Sequence, residues 1–184
     1  MKQSKYFIMM RGLPGTGKST FSKAIAGSLD AVVIENDVIR NQIKILFNKK
    51  SVCKKIFDFN KTASKIAYLT SYEVLSQNIK VNHSVIFDSC GMNMDKYNNC
   101  KKLAKNKCKL IVCECYCSNL DILSERLKKR NHSWKMSSLD EVLEYSEKKD
   151  ELCAKYQIKI DTCKSIKSNV KKFLTYVKDI EKIY

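Results

Sequence analysis

With 184 residues, 44% of them hydrophobic, the chain has the size of one domain with a substantial core, taken here as 1–184. No apolar stretch approaches the ~18 residues of a membrane span, and the start carries no charged-then-apolar signal segment, so the expected location is cytoplasmic. The net charge of +16, from 35 Lys and Arg against 19 Asp and Glu, favours polyanionic partners such as nucleic acid, phosphorylated substrates or an acidic surface; a solvated lysine-rich surface accounts for it at least as well.

In chain order, Tyr6 to Met10 is a short apolar run that reads as a buried strand. Gly12-Leu13-Pro14-Gly15-Thr16-Gly17-Lys18-Ser19 follows, with Thr20 next, and satisfies G-x-x-x-x-G-K-[ST] in full. That pattern is a nest of backbone N–H groups closing on a phosphate chain, with glycines where the backbone turns tightly. The helix starting at Lys18 points its positive end at the anion. Lys18 is placed to reach the β- and γ-phosphates, and the Ser19 hydroxyl to ligate Mg²⁺. Three of the chain's 5 glycines and its only proline lie in this loop, which makes the match specific.

The first helix is predicted from Lys18 to Leu29, with Phe21, Ile25 and Leu29 inward. Ala31 to Ile34 reads as a strand covered on both sides. It ends in Glu35-Asn36-Asp37-Val38-Ile39-Arg40. Ligand sites of open α/β sheets lie beyond the carboxyl ends of strands, so Asp37 and Arg40 are expected on the same edge as the glycine loop, three residues apart on one helix face. Asn41 to Lys55 reads as an amphipathic basic helix and loop, and Asn60 to Lys80 as a long helix with Ala63, Ile66, Ala67, Val74 and Leu75 inward. Ser84 to Phe87 is the third strand, and Asp88 directly after it has the Walker-B arrangement that holds the water shell of Mg²⁺.

Met94 to Lys105 reads as a helix and Cys108 to Cys117 as the fourth strand. Cys113, Cys115 and Cys117 share one face of it; with no C-x-x-C pair and both histidines distant in sequence, core filling is favoured over a metal site. Leu120 to Lys129 is a helix carrying Arg126 and Arg130 at i, i+4, aimed the same way and able to close on phosphates as a lid over about 119–137. Asn131 to Lys135 is a polar loop around Trp134, whose role the sequence leaves open, and His132 has no partner that would make it catalytic. Leu139 to Ala154 is a charged helix, Tyr156 to Ile160 the last strand, and Ile166 to Ile183 a final helix with Val170, Phe173, Leu174, Val177 and Ile180 inward. Only four arginines accompany 31 lysines: Arg11 beside the glycine loop, Arg40, Arg126 and Arg130. In such a chain an arginine marks a need for its planar fork.

Strands and helices alternate without repeats or linkers, which predicts an α/β fold with one parallel sheet and helices on both faces. The ordered set GLPGTGKST, NDVIR, SVIFDS and SERLKKRN resembles the P-loop kinase branch that holds the kinase part of bacteriophage polynucleotide kinase and the zeta-toxin-like predicted kinases. The resemblance covers nearly the whole chain. It implies a five-stranded P-loop NTPase sheet in 2-3-1-4-5 order with a helical lid, and ATP-dependent, Mg²⁺-dependent phosphorylation of a hydroxyl. It also implies that Asp37 is the base accepting the hydroxyl proton, that Arg40 is a substrate-side arginine, that Arg126 or Arg130 is the lid arginine, and that Asp161-Thr162 lies near adenine. The basic tunnel of polynucleotide kinases has no recognisable lining here, which leaves a small or nucleotide-like acceptor ahead of a nucleic-acid 5′-hydroxyl. A slow nucleotide-binding switch is the remaining alternative; guanine recognition lacks its N-K-x-D element, since Asn106-Lys107-Cys108-Lys109 has no Asp. The acceptor and the oligomeric state are not encoded in any recognisable motif.

Overall fold

A computed structural model describes residues 5–48, 59–90, 93–129, 138–147 and 155–182. Five strands, β1 (Tyr6–Arg11), β2 (Ala31–Glu35), β3 (Ser84–Asp88), β4 (Lys109–Tyr116) and β5 (Ile158–Asp161), form one sheet of order β2-β3-β1-β4-β5. Every pairing is parallel. This is the order expected of the P-loop fold. β1 lies at the centre and is buried along its whole length, because neighbours flank it and helices cover both its faces.

The helices are α1 (Lys18–Ala26), α2 (Asn36–Asn48), α3 (Phe59–Lys80), α4 (Met94–Ala104), α5 (Leu120–Lys128), α6 (Leu139–Glu147) and α7 (Ile166–Lys182). Alternation along β1 sorts the core into two layers. Ile8 and Met10 face Phe21 and Ile25 of α1 and Phe173 and Val177 of α7. Phe7 and Met9 face Leu75 and Ile79 of α3 and Cys100 and Ala104 of α4. Phe21 and Phe173 meet edge to face at 5.8 Å, clamping α1 to α7 across the chain. Cys113 and Cys115 fill the first layer, as their alternation predicts, whereas Cys117 lies just beyond the strand with its Sγ 3.2 Å from that of Cys163.

Several boundaries differ from the periodicity-based expectation for identifiable reasons. α1 stops at Ala26 and a 3₁₀ turn carries Gly27 to Leu29, ended by Asp30 in the left-handed region at φ 46°. α2 starts at Asn36, straight from β2, and so takes in Asp37 and Arg40 in its first turns. On α3 the buried seam is Ala63, Ala67, Ser71, Leu75 and Ile79, at four-residue spacing, and it leaves Val74 exposed rather than inward. β5 runs from Ile158 to Asp161, two residues later at its start than Tyr156. Residues 49–55 of the predicted basic segment, the lid tip with Arg130, His132 and Trp134, and 148–154 of the predicted charged helix lie outside the described residues. Among the described residues, no helix is long and apolar enough to cross a membrane.

Candidate active site

The carboxyl ends of β1, β2 and β3 open into a cavity of about 790 Å³. Its floor is the glycine loop. Gly12, Gly15 and Gly17 all have positive φ (137°, 79° and 80°), so the loop takes a path closed to residues with a Cβ. Close approach excludes one as well: a Cβ on Gly12 would meet the Cys115 carbonyl oxygen at 2.2 Å, and one on Gly15 would meet Leu123 at 2.9 Å. The second contact shows α5 leaning on the loop. Leu123 and Leu127 are buried there with Cys117 and Val142, and Leu13 packs against them.

Gly17 caps α1 without any side-chain hydrogen bond, and the first intrahelical bond runs from Phe21 N–H to the Gly17 carbonyl at 3.0 Å. The first N–H groups of α1 are thus left by helix geometry to meet an anion. Lys18 Nζ donates to the Gly12 and Leu13 carbonyls at 3.0 and 2.8 Å, which folds its ammonium back over the loop. Thr16 is buried and its hydroxyl donates to the Leu13 carbonyl at 2.8 Å, bracing the turn. Pro14, Ser19 and Thr20 line the cavity.

Asp88, 5% exposed, sits beside Glu35 in the sheet register and takes a hydrogen bond from Ser19. Burial pushes its carboxyl above the ordinary value; the Ser19 bond and the Lys18 charge oppose this, while Glu35 and Asp37 add to it. A buried carboxylate with an adjacent hydroxyl, next to a phosphate loop, is a hard oxygen donor set that fits Mg²⁺, which takes one or two carboxylates and completes its shell with phosphate and water. Among the described residues no cluster of three or more His, Cys, Asp or Glu forms an all-protein metal cage.

On the opposite wall, Asp37 and Arg40 fall on one face of α2 as expected, and they pair: Arg40 Nη2 lies 2.9 Å from Asp37 Oδ1. Their side chains are 46% and 6% exposed, so the carboxylate is presented to the cavity and the guanidinium holds it from behind. Arg11 does not turn toward the loop. Its Nε lies 3.0 Å from Glu114 Oε2 on the neighbouring strand, and Lys159 approaches the same carboxylate at 3.3 Å. Arg126 places its fork on the turn after β5, donating to Thr162 Oγ1 at 2.9 Å and to the Thr162 carbonyl at 3.0 Å. A Cβ on Gly17 would lie 3.3 Å from Thr162, so Arg126 borders the cavity at the loop's far end. Arg126 thus spends two nitrogens of its fork on Thr162, while Arg11 and Arg40 each meet a carboxylate of the protein.

Among the lining residues that the sequence reading did not single out, four gather beside Asp37. Tyr68 of α3 and Lys96 of α4 meet here, the Lys96 ammonium donating to Tyr68 Oη and lying 4.0 Å from its ring centroid. Lys96 Nζ is also 3.9 Å from Cys90 Sγ, in the turn after β3, whose carbonyl accepts from Gly12 N–H at 3.2 Å. Burial, with Cys90, Asp37 and Tyr72 nearby, pushes the Tyr68 phenol well up against a smaller opposing effect of Arg40, so it stays protonated. Ser89 is 3% exposed and its hydroxyl is buried without a hydrogen-bond partner. Nothing local marks these residues, because α3, α4 and the β3 turn converge only in the fold.

The profile of the AAA domain family matches residues 7–148, from β1 past α6. The chain belongs to that family. Several solved structures that it resembles in fold are described as kinases. A protein taken to be a kinase from Chloroflexus aurantiacus j-10-fl superposes with a TM-score of 0.67 at 17% identity, covering 97% of this chain and 99% of that one. A gluconokinase from Sinorhizobium meliloti 1021 gives 0.61 at 16% over 100% and 98%, and a shikimate kinase from Bacteroides thetaiotaomicron 0.61 at 15% over 94% and 98%. At these identities the AAA-domain chain shares with them a fold over its full length.

Proposed function

We propose that this AAA-domain chain is a single-domain kinase, of the polynucleotide kinase and zeta-toxin-like group, that transfers the γ-phosphoryl group of ATP to a hydroxyl of a small or nucleotide-like acceptor. The observation that carries the proposal is the carboxylate of Asp37, held by Arg40 and presented to the same cavity as Lys18, Ser19 and Asp88. Hydrolysis by a switch needs no such fixed, half-exposed carboxylate facing the phosphate loop. The kinases that share the fold, and the four ordered motifs, support the same reading.

In this mechanism the loop amides and Lys18 bind the β- and γ-phosphates. Ser19 and Asp88 would hold Mg²⁺, which would supply charge neutralisation to the phosphates. Asp37 accepts the acceptor hydroxyl proton, and Arg40 fixes the carboxylate that does so. Arg126, anchored on Thr162, borders the nucleoside end, and Arg130 is assigned the charge of the transferring group. Positioning and electrostatics carry the rate, since phosphoryl transfer asks little covalent chemistry of the protein.

The test is ADP formation from Mg·ATP with a panel of hydroxyl compounds. Acceptor-dependent turnover that Asp37→Asn removes, while Mg·ATP still raises the melting temperature of the variant, supports the reading. Turnover that is slow, independent of acceptor and untouched by Asp37→Asn makes the protein a nucleotide-binding switch. Oligonucleotide phosphorylation that weakens steeply with salt would place the acceptor among nucleic acids.

A further inference from the structure

The acceptor end of the cavity holds an ammonium, that of Lys96, whose contacts are a phenol and a thiol. Arg40 is spoken for by Asp37. Among the described residues Lys96 has no carboxylate within ion-pair distance. Glu35, which also lines the cavity, is paired with Lys23 at 3.0 Å, and Asp88 takes a hydrogen bond from the Ser19 hydroxyl. Two hydroxyls complete the cluster. Tyr68 accepts from Lys96 and keeps its own O–H to donate, and Ser89 has a buried hydroxyl with no partner. An ammonium, a phenol held protonated and an idle hydroxyl around one cavity end are the donors that an oxyanion needs.

We infer that the acceptor is itself an anion, an alcohol bearing a carboxylate or phosphate that binds Lys96 and Tyr68 while its hydroxyl faces Asp37. This rests on the kinase reading and narrows it to one substrate class. A neutral sugar or alcohol would leave Lys96 and Ser89 unanswered in a cavity that ligand binding dries, which costs affinity. Lys96 is a positioning residue for the substrate, since it stands on the anion and not on the reacting hydroxyl.

The experiment uses two pairs of compounds that differ in charge: gluconate against sorbitol, and glycerol 3-phosphate against glycerol. Each is added at millimolar concentration to the full chain saturated with Mg·ADP. Melting temperature reads binding without chemistry, and ADP formation from Mg·ATP reads turnover. In the wild type an anionic member shifts the melting temperature beyond its neutral partner, and the pair that responds tells carboxylate from phosphate. Lys96→Met erases that difference and raises the anion's KM by about 10- to 100-fold, the loss expected for one charged hydrogen bond. Lys96→Arg retains most of it, and both variants keep the shift produced by Mg·ADP alone, which shows that they fold. The inference is overturned by neutral members that match or exceed their anions, by anions that shift nothing, or by anion selectivity that survives Lys96→Met. Anion-selective binding without ADP formation breaks the kinase reading and leaves the anion site standing. Turnover of neutral alcohols alone breaks the anion site and leaves the kinase standing.

Discussion

The two ends of the cavity are built in different ways. The end proposed for phosphate is nine consecutive residues, Gly12 to Thr20, which offer backbone groups, three positive-φ glycines and one lysine. The end proposed for the acceptor is drawn from α2, α3, α4 and the turn after β3, and the groups it offers are the side chains of Asp37, Arg40, Tyr68, Ser89 and Lys96. A triphosphate presents the same geometry to every protein, so one local backbone path answers it. An acceptor has its own shape and charge, and only side chains brought together from several elements can match it.

That contrast can be broken by mutations that separate binding from transfer. The largest effect belongs to Asp37→Asn, which is expected to lower kcat by about 10²- to 10⁴-fold, the range for a lost general base, while Mg·ATP still stabilises the protein. Equal loss of nucleotide binding would mean that the two ends are not independent. Lys18→Met is expected to reduce kcat by at least about 10²-fold through lost electrostatic stabilisation, and, unlike Asp37→Asn, to weaken the thermal shift by nucleotide.

Gly15→Ala tests the loop's backbone more than its charge. The left-handed φ of 79° and the contact with Leu123 at 2.9 Å both oppose a methyl group. The expected cost is about 2–4 kcal/mol from backbone strain and overpacking, read by denaturant unfolding. A near-neutral result would show that α5 moves off the loop easily. Arg126→Lys loses the fork on Thr162 and is expected to raise the KM for ATP about tenfold with little change in kcat.

The smallest effect has the opposite sign. Burial raises the Asp88 carboxyl, so in metal-free protein its contribution to stability is complete below the ordinary carboxyl value of 3.8 and is lost as pH rises through the folded value. At neutral pH Asp88→Asn is therefore expected to melt a few degrees higher than the wild type without metal, with the gap closing as pH falls, and to lose Mg²⁺-dependent turnover. A lower melting temperature would mean that the bond from Ser19 outweighs desolvation.

The same division governs what could be read from residues. Phe21 and Ile25 of α1, the burial of β1 and the shared face of Asp37 and Arg40 follow from spacing alone, because helix and strand periods assign faces locally, whereas the ion pair between Asp37 and Arg40 is seen only in the structure. Arg11 and Arg126 were legible as arginines that needed a fork and illegible as to where the fork would go. Glu114 and Thr162 are 103 and 36 residues away and reach them through the sheet register and the turn after β5. Val74 was misassigned because α3 carries several apolar residues round its circumference, and the packing of α2 and the sheet against it selects the Ala63 to Ile79 seam.

By itself, then, the sequence determined the phosphate loop, the parallel α/β alternation, the Asp88 carboxylate at the end of β3 and the Asp37–Arg40 face. All are contacts within a few residues or positions set by a strand end, where geometry is fixed by the local backbone. The tertiary structure alone decided that Lys96 meets Tyr68 and Cys90 beside Asp37, that Ser89 is buried there without a partner, and that Arg126 rests on Thr162. Those groups lie on elements far apart along the chain, and their proximity is a property of how the helices pack on the sheet.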